Sequence, residues 1–347
     1  MKKSLSVLLV LLLALSFIIA GCSSNQPAPD EGQADNAKKE APAKQPEEQA
    51  AKETKLLMAT GGTGGTYYPL GGAMAETWSN HIEGLKVTVQ STGASVENIR
   101  LLSNKQTELA MAMNGPAQAA VQGLGDFKEK VTNVAAIGVI YPEVMQVVTP
   151  QASGVQTIAD LKGKRVSIGP PGSGTASAAV KILAAYGIDA DKDITKFQDT
   201  FADAADKLKD GQLDAAFAVL AVPAANIIEI STATPVDIVD IDGDGLQKLL
   251  DSEPAFAPYE IPAGTYEGQD ELGKTVAQWA VLYTQKELSD DLAYNLAKVM
   301  YENTDEIAAG HARGNQITLD NAIKGIKPVP FHPGAVKYYK EKGISVE

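Results

Sequence analysis

The sequence predicts an α/β fold with mainly parallel sheets, arranged as two similar lobes with a ligand cleft between them. Three observations predict it. Short apolar runs alternate with helix-like segments along residues 55–347, the pattern of parallel strands joined by crossover helices. Several runs are uniformly apolar, as strands buried on both faces are. Two pieces of sequence recur at nearly one spacing, which reads as a duplicated unit.

The elements follow in order. KLLMAT (55–60) is an apolar run that stops at a glycine-rich loop, and a helix at 70–80 follows. LKVTVQS (85–91) is a second strand and leads to a helix at 95–103. There Ser95 with Asn98 resembles a capping box, with Asn in place of the usual Glu or Gln. LAMAM (109–113) precedes a helix at 116–123, and apolar runs at 133–140 and 145–149 read as two strands. RVSIG (165–169) and the helix at 176–186 repeat the strand, glycine loop and helix of the start. A strand at 194–198 leads to a helix at 201–210, and AAFAV (215–219) leads to one at 223–232. Strands at 236–240 and 279–284 complete the set. The helix at 290–302 carries Leu292, Leu296, Val299 and Met300 on one face, a core-packing stripe. Helices at 307–313, 318–324 and 334–342 end the chain.

The two recurring pieces define the duplication. MATGGTGGTYYPLGGAMAETW and RVSIGPPGSGTASAAVKILAAYG share the form strand, loop, helix, and Gly65-Thr66 and Gly174-Thr175 lie 109 residues apart. SNKQTELAMAM (103–113) resembles KDGQLDAAFAV (209–219). Gln106, Glu108, Ala110 and Ala112 match Gln212, Asp214, Ala216 and Ala218, each 106 residues on.

The start of the chain sets its compartment. Lys2 and Lys3 precede an apolar run from Leu5 to Ala20, and Gly21-Cys22 follows. Residues 1–21 therefore read as an export signal. The chain's single cysteine stands at its end, as in a bacterial lipobox, so Cys22 is the expected lipidation site and new N-terminus. No disulfide is possible within the chain. Residues 22–54 hold Pro27, Pro29, Pro42 and Pro46 among Gln, Ala, Glu and Lys, with no aromatic residue. That composition suits a disordered spacer. The expectation is an extracytoplasmic body on a lipid anchor at the cell membrane. The net charge is −13, and loss of Lys2 and Lys3 makes the mature chain more acidic still. Nothing here suits nucleic acid.

The glycine loops carry the candidate site. A helix start has unpaired N–H groups and a positive dipole end, and glycines before it let a ligand approach the backbone. Thr63, Gly64, Gly65, Thr66 and Tyr67 form the first such site. Ser173, Gly174 and Thr175 repeat it in the second lobe, and Thr92, Gly93, Ala94 and Ser95 form a third loop of the kind. Asn114 follows strand 109–113, and Ala221-Val222 follows the matching strand. By the repeat, both stand at strand ends on the cleft. The chemistry is capture of a carboxylate by backbone and hydroxyl donors. A dinucleotide fingerprint fails at Thr63 and Tyr67, and neither loop has the lysine of a P-loop.

Other chemistries find little support. His81, His311 and His332 lack metal-ligand spacing. No nucleophile elbow is present, no acid–base constellation marks an enzyme, and no cofactor is implied. DIDGDGLQKLLD (240–251) fits calcium-loop spacing weakly, through Asp240, Asp242, Asp244 and Asp251. The usual twelfth-position Glu is replaced by Asp, and the preceding segment reads as a strand. The competing reading is a strand end, a turn and a helix from Leu246.

These residues resemble the TAXI family of solute-binding proteins of tripartite ATP-independent periplasmic (TRAP) transporters. The resemblance rests on GGTGGTYYPLGGAMAE, STGASVENIRLLSNKQTELAM, LKGKRVSIGPPGSGT, GQLDAAFAV, IPAGTYEGQD and FHPGAVKYYKEKGI, in order from 61 to 344. It implies a type II periplasmic-binding fold that closes on a small carboxylate, with glutamate, glutamine and 2-oxoglutarate-like acids among family ligands. It implies TRAP membrane subunits as partners, often fused, and the expected body is a monomer. Residues 55–142 and 262–347 would form lobe I and 143–261 lobe II, with crossings near 141–146 and 261–268. Ala221-Val222 departs from the family's glycine and polar residue before the proline, which leaves this loop backbone contacts only. A ligand sensor docking on a signalling receptor is the alternative role for the same scaffold.

Overall fold

The computed structural model describes residues 53–346. The expected export signal, Cys22 and the spacer through residue 52 lie outside them. The strands are β1 (Thr54–Ala59), β2 (Leu85–Gln90), β3 (Leu109–Met113), β4 (Val134–Pro150), β5 (Arg165–Ser167), β6 (Thr195–Phe197), β7 (Ala215–Leu220), β8 (Val236–Ile238), β9 (Ala257–Ile261) and β10 (Gly273–Gln285). The helices are α1 (Tyr67–His81), α2 (Ser95–Ser103), α3 (Asn114–Gln122), α4 (Gly174–Ala185), α5 (Phe201–Lys209), α6 (Ala225–Ala233), α7 (Gly243–Ser252), α8 (Asp290–Glu302), α9 (Thr304–Gly310) and α10 (Pro333–Glu341). Among the described residues no helix is long and apolar enough to cross a membrane.

The strand order is β2-β1-β3-β10-β4-β7-β5-β6, with β8 on β4 and β9 on β10. β1 pairs in parallel with β2 and β3, and β5 pairs in parallel with β6 and β7. The two halves thus repeat one order, 2-1-3 and 6-5-7. Every antiparallel pair involves β4 or β10. These two long strands run side by side and connect the halves.

The duplication seen in the sequence has a structural counterpart. Glu108 lies just before β3, and its carboxylate accepts the Leu57 N–H of β1 at 2.8 Å. Asp214 lies just before β7, and its carboxylate accepts the Arg165 N–H of β5 at 2.7 Å. Thr284 of β10 donates its hydroxyl to the Glu108 carbonyl at 2.9 Å, and Thr149 of β4 donates to that of Asp214 at 2.8 Å. The matched acids therefore fix the same strand junction in each half. Asp214 also meets Arg165 as an ion pair, which holds its carboxyl below the usual range.

Each half has its own core. Met58, Leu70, Trp78, Leu282, Leu296 and Tyr338 belong to a cluster in the first. Val147, Val166, Ile182, Phe217 and Leu249 belong to one in the second. Trp78 is fully buried, and its indole N–H donates to the Leu296 carbonyl at 3.0 Å, tying α1 to α8.

Several elements differ from expectation. The runs 133–140 and 145–149 are one strand, β4. Pro142 lacks a ladder donor but sits next to a register shift in the β4–β10 pairing, where Ala280 faces Tyr141 and Val281 faces Val139. β9 was not expected, and β10 begins six residues earlier than the 279–284 run. Residues 318–324 form only a short 3-10 turn at Leu319–Asn321, and the helix expected at 307–313 is α9, ending at Gly310 before a second 3-10 turn.

Candidate functional site

A cleft of about 520 Å³ lies between the halves, within the size range of small-molecule pockets. It is lined by Thr63, Gly64, Gly65, Thr66 and Tyr67, by Thr92, Gly93, Ala94 and Ser95, and by Ser173, Gly174 and Thr175. The structure brings these twelve residues together although they come from three loops spread over more than a hundred residues. Each loop joins a parallel strand to a helix: β1 to α1, β2 to α2, and β5 to α4. In open α/β sheets the carboxyl ends of the strands are where such loops gather.

A fourth loop completes the set. Thr200, Phe201 and Ala202 also line the cleft, at the start of α5 after β6. This is the second-half counterpart of the β2–α2 loop, since the 106-residue spacing carries Ser95 onto Phe201. The loop has no glycine, which is why loop composition alone passed it by. Its local signal is Thr200, whose hydroxyl accepts the Asp203 N–H at 3.2 Å as an N-cap.

The helix starts leave donors free. In α4 the Ser173 hydroxyl accepts the Ala176 N–H at 2.9 Å. Among the described residues the N–H groups of Gly174 and Thr175 have no protein acceptor, and neither do those of Thr66 and Tyr67 at α1 or Ser95 at α2. Five backbone donors at three helix N-termini thus belong to cleft-lining residues, with no lysine or arginine in the lining. Such an arrangement stabilises an anion through aligned dipoles and N–H groups. Ala94 holds φ 77° and ψ −144°, a strained region for a residue with a side chain. The strain sits where the chain turns into α2 beside the cleft.

Some side chains serve the loops instead. The Thr92 hydroxyl donates to Asn98 Oδ1 at 2.6 Å and accepts the Ala94 N–H at 3.1 Å. Glu97 accepts the Gly93 N–H at 2.6 Å. Asn98, whose spacing from Ser95 suggested a capping box, instead reaches the carbonyls of Thr60 and Met111. It braces β1 against β3.

Three expected residues stand outside the lining. Asn114 is buried, and α3 begins at it directly. Its amide donates to the Gly325 carbonyl at 2.9 Å and accepts the Trp279 N–H at 3.0 Å. Both ends of the amide are committed to structure, which corrects the expectation of a ligand contact. Ala221 is buried, and its N–H donates to the Thr66 hydroxyl at 3.4 Å across the cleft. Val222 packs against a core cluster of the second half. Their strand-end neighbours Val219 and Leu220 reach the lining instead.

The calcium-loop aspartates do not converge. Asp242 precedes α7, Asp240 accepts the Lys274 N–H at 2.8 Å, and Asp251 accepts from the Gln247 amide at 2.8 Å on the helix surface. The segment is a strand end, a turn and a helix. Among the described residues no group of three or more His, Cys, Asp or Glu is placed to hold a metal.

The apolar wall holds Tyr67, Tyr141, Met113 and Phe201, with Pro170 and Pro171. Tyr67 and Tyr141 meet edge to face at 6.3 Å. Glu143 also lines the cleft, on β4 between the halves. It is 3% exposed, and its carboxylate accepts the Tyr141 hydroxyl. Burial pushes the Glu143 carboxyl up to about 8, against the opposing effect of the hydroxyls of Tyr141 and Tyr67. The Tyr67 hydroxyl is buried beside Glu143 and Ser95 without a well-formed hydrogen bond. Sequence reading missed Glu143 because a lone acid after Tyr141-Pro142 carries no motif.

The halves are closed on each other. The Val96 and Glu97 N–H groups both donate to the Gly172 carbonyl at 3.1 Å. Arg313 donates to the Pro223 carbonyl at 2.8 Å. Two donors of α2 are therefore used to hold the opposite loop.

The fold is shared with solved structures. MatC from Rhodopseudomonas palustris, with bound malate, aligns with a TM-score of 0.54 at 12% identity, covering 84% of this chain and 96% of that one. A protein of Listeria monocytogenes assigned as an L-cystine ABC transporter aligns at 0.50 and 12% identity, covering 77% and 98%. At this identity they show the fold alone, the two-lobe arrangement of periplasmic-binding proteins. The sequence itself matches a family model over residues 58–343, and the chain belongs to the NMT1-like family.

Proposed function

We propose that the protein is an extracytoplasmic solute-binding protein that captures a small carboxylate by closure of two lobes. The carrying observation is the convergence of unpaired N–H groups from three helix N-termini on one cleft without a cationic side chain. Hydrogen bonds to a charged group contribute ~1.5–3 kcal/mol each net, and micromolar affinity needs about 8 kcal/mol. Three or four of the five donors are enough. The ligand contacts we assign are the twelve loop residues above, with Phe201 and Glu143 added. Binding, not turnover, is the role we assign, on the resemblance to solute-binding subunits.

The membrane partner we assign is a TRAP transporter, on the resemblance to its TAXI-type binding subunits, with Cys22 as lipid anchor and a monomeric body. The names of the aligned structures, one holding malate and one assigned to cystine transport, fit capture of small acids. Lobe I is residues 55–142 with the C-terminal part, and lobe II begins at 143. The return crossing is better drawn inside β10 than at 262, because Tyr266 and Val276 pack in clusters of the second half.

The test is a melting-temperature panel of glutamate, glutamine, 2-oxoglutarate, malate and short monocarboxylates against neutral amides and sugars. A rise with at least one acid, and none with the neutral compounds, is expected. At a ligand concentration of 100 times Kd the stabilisation is about 2.7 kcal/mol. A rise only with uncharged compounds would end the carboxylate reading.

A further inference from the structure

We propose that the ligand carries a protonated amine as well as a carboxylate, and that Glu143 is the residue that receives the amine. This rests on the carboxylate reading and narrows it to amino acids.

The argument is one of complementary ends. The loops offer donors: free N–H groups at Thr66, Tyr67, Ser95, Gly174 and Thr175. A ligand carboxylate satisfies them, but it has nothing to offer a buried acid. Glu143 is the one ionisable carboxyl of the lining, and among the described residues no lysine, arginine or histidine pairs with it. Among the described residues its carboxylate accepts from the Tyr141 hydroxyl. Buried acids are ordinarily paired or neutralised. With no protein cation beside it Glu143 is neutralised by a proton, and a ligand ammonium can take that proton's place, supplying the charge and the donors together. Glu143 sits on β4, one of the two strands that link the halves, so the amine would be held between them. Tyr67 and Tyr141 give its carbon skeleton an aromatic wall.

The titratable groups facing Glu143 are Tyr67 of α1 and Tyr141 of β4, and burial pushes both phenols well above their ordinary range. On β10 the residue opposite is the uncharged Gln278. Glu143 is therefore the group that changes charge near neutral pH. In the closed cleft without ligand it is mainly protonated at pH 7, and an arriving ammonium favours the carboxylate. Binding then releases up to about one proton, and affinity rises from pH 5 towards pH 8.

The experiment is isothermal titration of the whole chain in detergent. Matched pairs are compared: L-glutamate with 2-oxoglutarate, L-alanine with pyruvate, L-leucine with 4-methyl-2-oxopentanoate, and 4-aminobutyrate with butyrate. At least one amino member should bind about 10- to 100-fold tighter than its partner, the range of one charge-assisted hydrogen bond, with proton release in buffers of different ionisation enthalpy. Glu143→Gln should erase that preference and the proton release, so that each amino acid and its deaminated partner bind the variant within about threefold of each other. Deaminated acids that bind the parent as tightly as amino acids overturn the inference and leave the carboxylate reading standing. So does affinity that falls from pH 5 to pH 8, the sign of a protonated Glu143 donating to the ligand's carboxylate. A preference that survives in Glu143→Gln also overturns it. If no acid of either kind binds, both readings fall.

Discussion

Gly174→Val is expected to weaken ligand binding by roughly 10- to 100-fold, the equivalent of about 1–3 kcal/mol of overpacking, without unfolding either lobe. A Cβ at 174 would meet Met113 Sδ at 2.5 Å and Ser95 Oγ at 2.8 Å. Met113 ends β3 and Ser95 opens α2, so both neighbours stand on the opposite side of the cleft. A valine there acts as a wedge between the lobes. Gly174 is the first residue of α4, where a branched side chain is compatible with the helix, so the second half keeps its own packing. Titration calorimetry gives the affinity, and small-angle scattering gives the shape. The variant should stay extended with ligand present, while the parent becomes more compact. An affinity within threefold of the parent would mean that binding does not depend on closure of these loops.

Gly334→Ala is expected to destabilise the fold by roughly 3–5 kcal/mol, in the tail reserved for changes that collide with fixed backbone. The added Cβ would run into the Asp290 carbonyl and come within 2.8 Å of the Tyr294 N–H at the start of α8. Neither is a flexible side-chain end that can move aside. The surrounding segment shows the same purpose. His332 is fully buried, its Nδ1 accepts the Gly334 N–H at 3.2 Å, and its Nε2 meets the Leu288 carbonyl at 2.9 Å. Tyr338 and Tyr339 of α10 are themselves buried. FHPGAVKYYKEKGI, one of the segments that carry the family resemblance, is thus a packing device. Urea unfolding would measure the loss, and a change below about 1 kcal/mol would contradict this account of the α8–α10 contact.

The parts of the fold legible in the sequence are those where one local rule applies. The β1–α1 and β5–α4 loops announce themselves by glycine and hydroxyl residues before a helix. The acids Glu108 and Asp214 announce the duplication because both serve the same backbone junction. What was not legible depends on partners distant in the chain. The apolar runs on either side of Pro142 read as two strands, yet β4 continues through it beside a register shift against β10. Asn114 shares its strand-end position with cleft residues, but Gly325 and Trp279, far along the chain, claim its amide. Glu143 is unremarkable in sequence and becomes a cleft residue only when β4 bridges the two halves. The β6–α5 loop was reachable, since the repeat spacing points at Phe201, but its lack of glycine hid it.

The most direct measurement is a native mass spectrum of the protein as purified, followed by denaturing release. The account predicts one small acid per chain, lost on unfolding and absent from Gly174→Val. A molecule released at one copy per chain that has no carboxylate would contradict it.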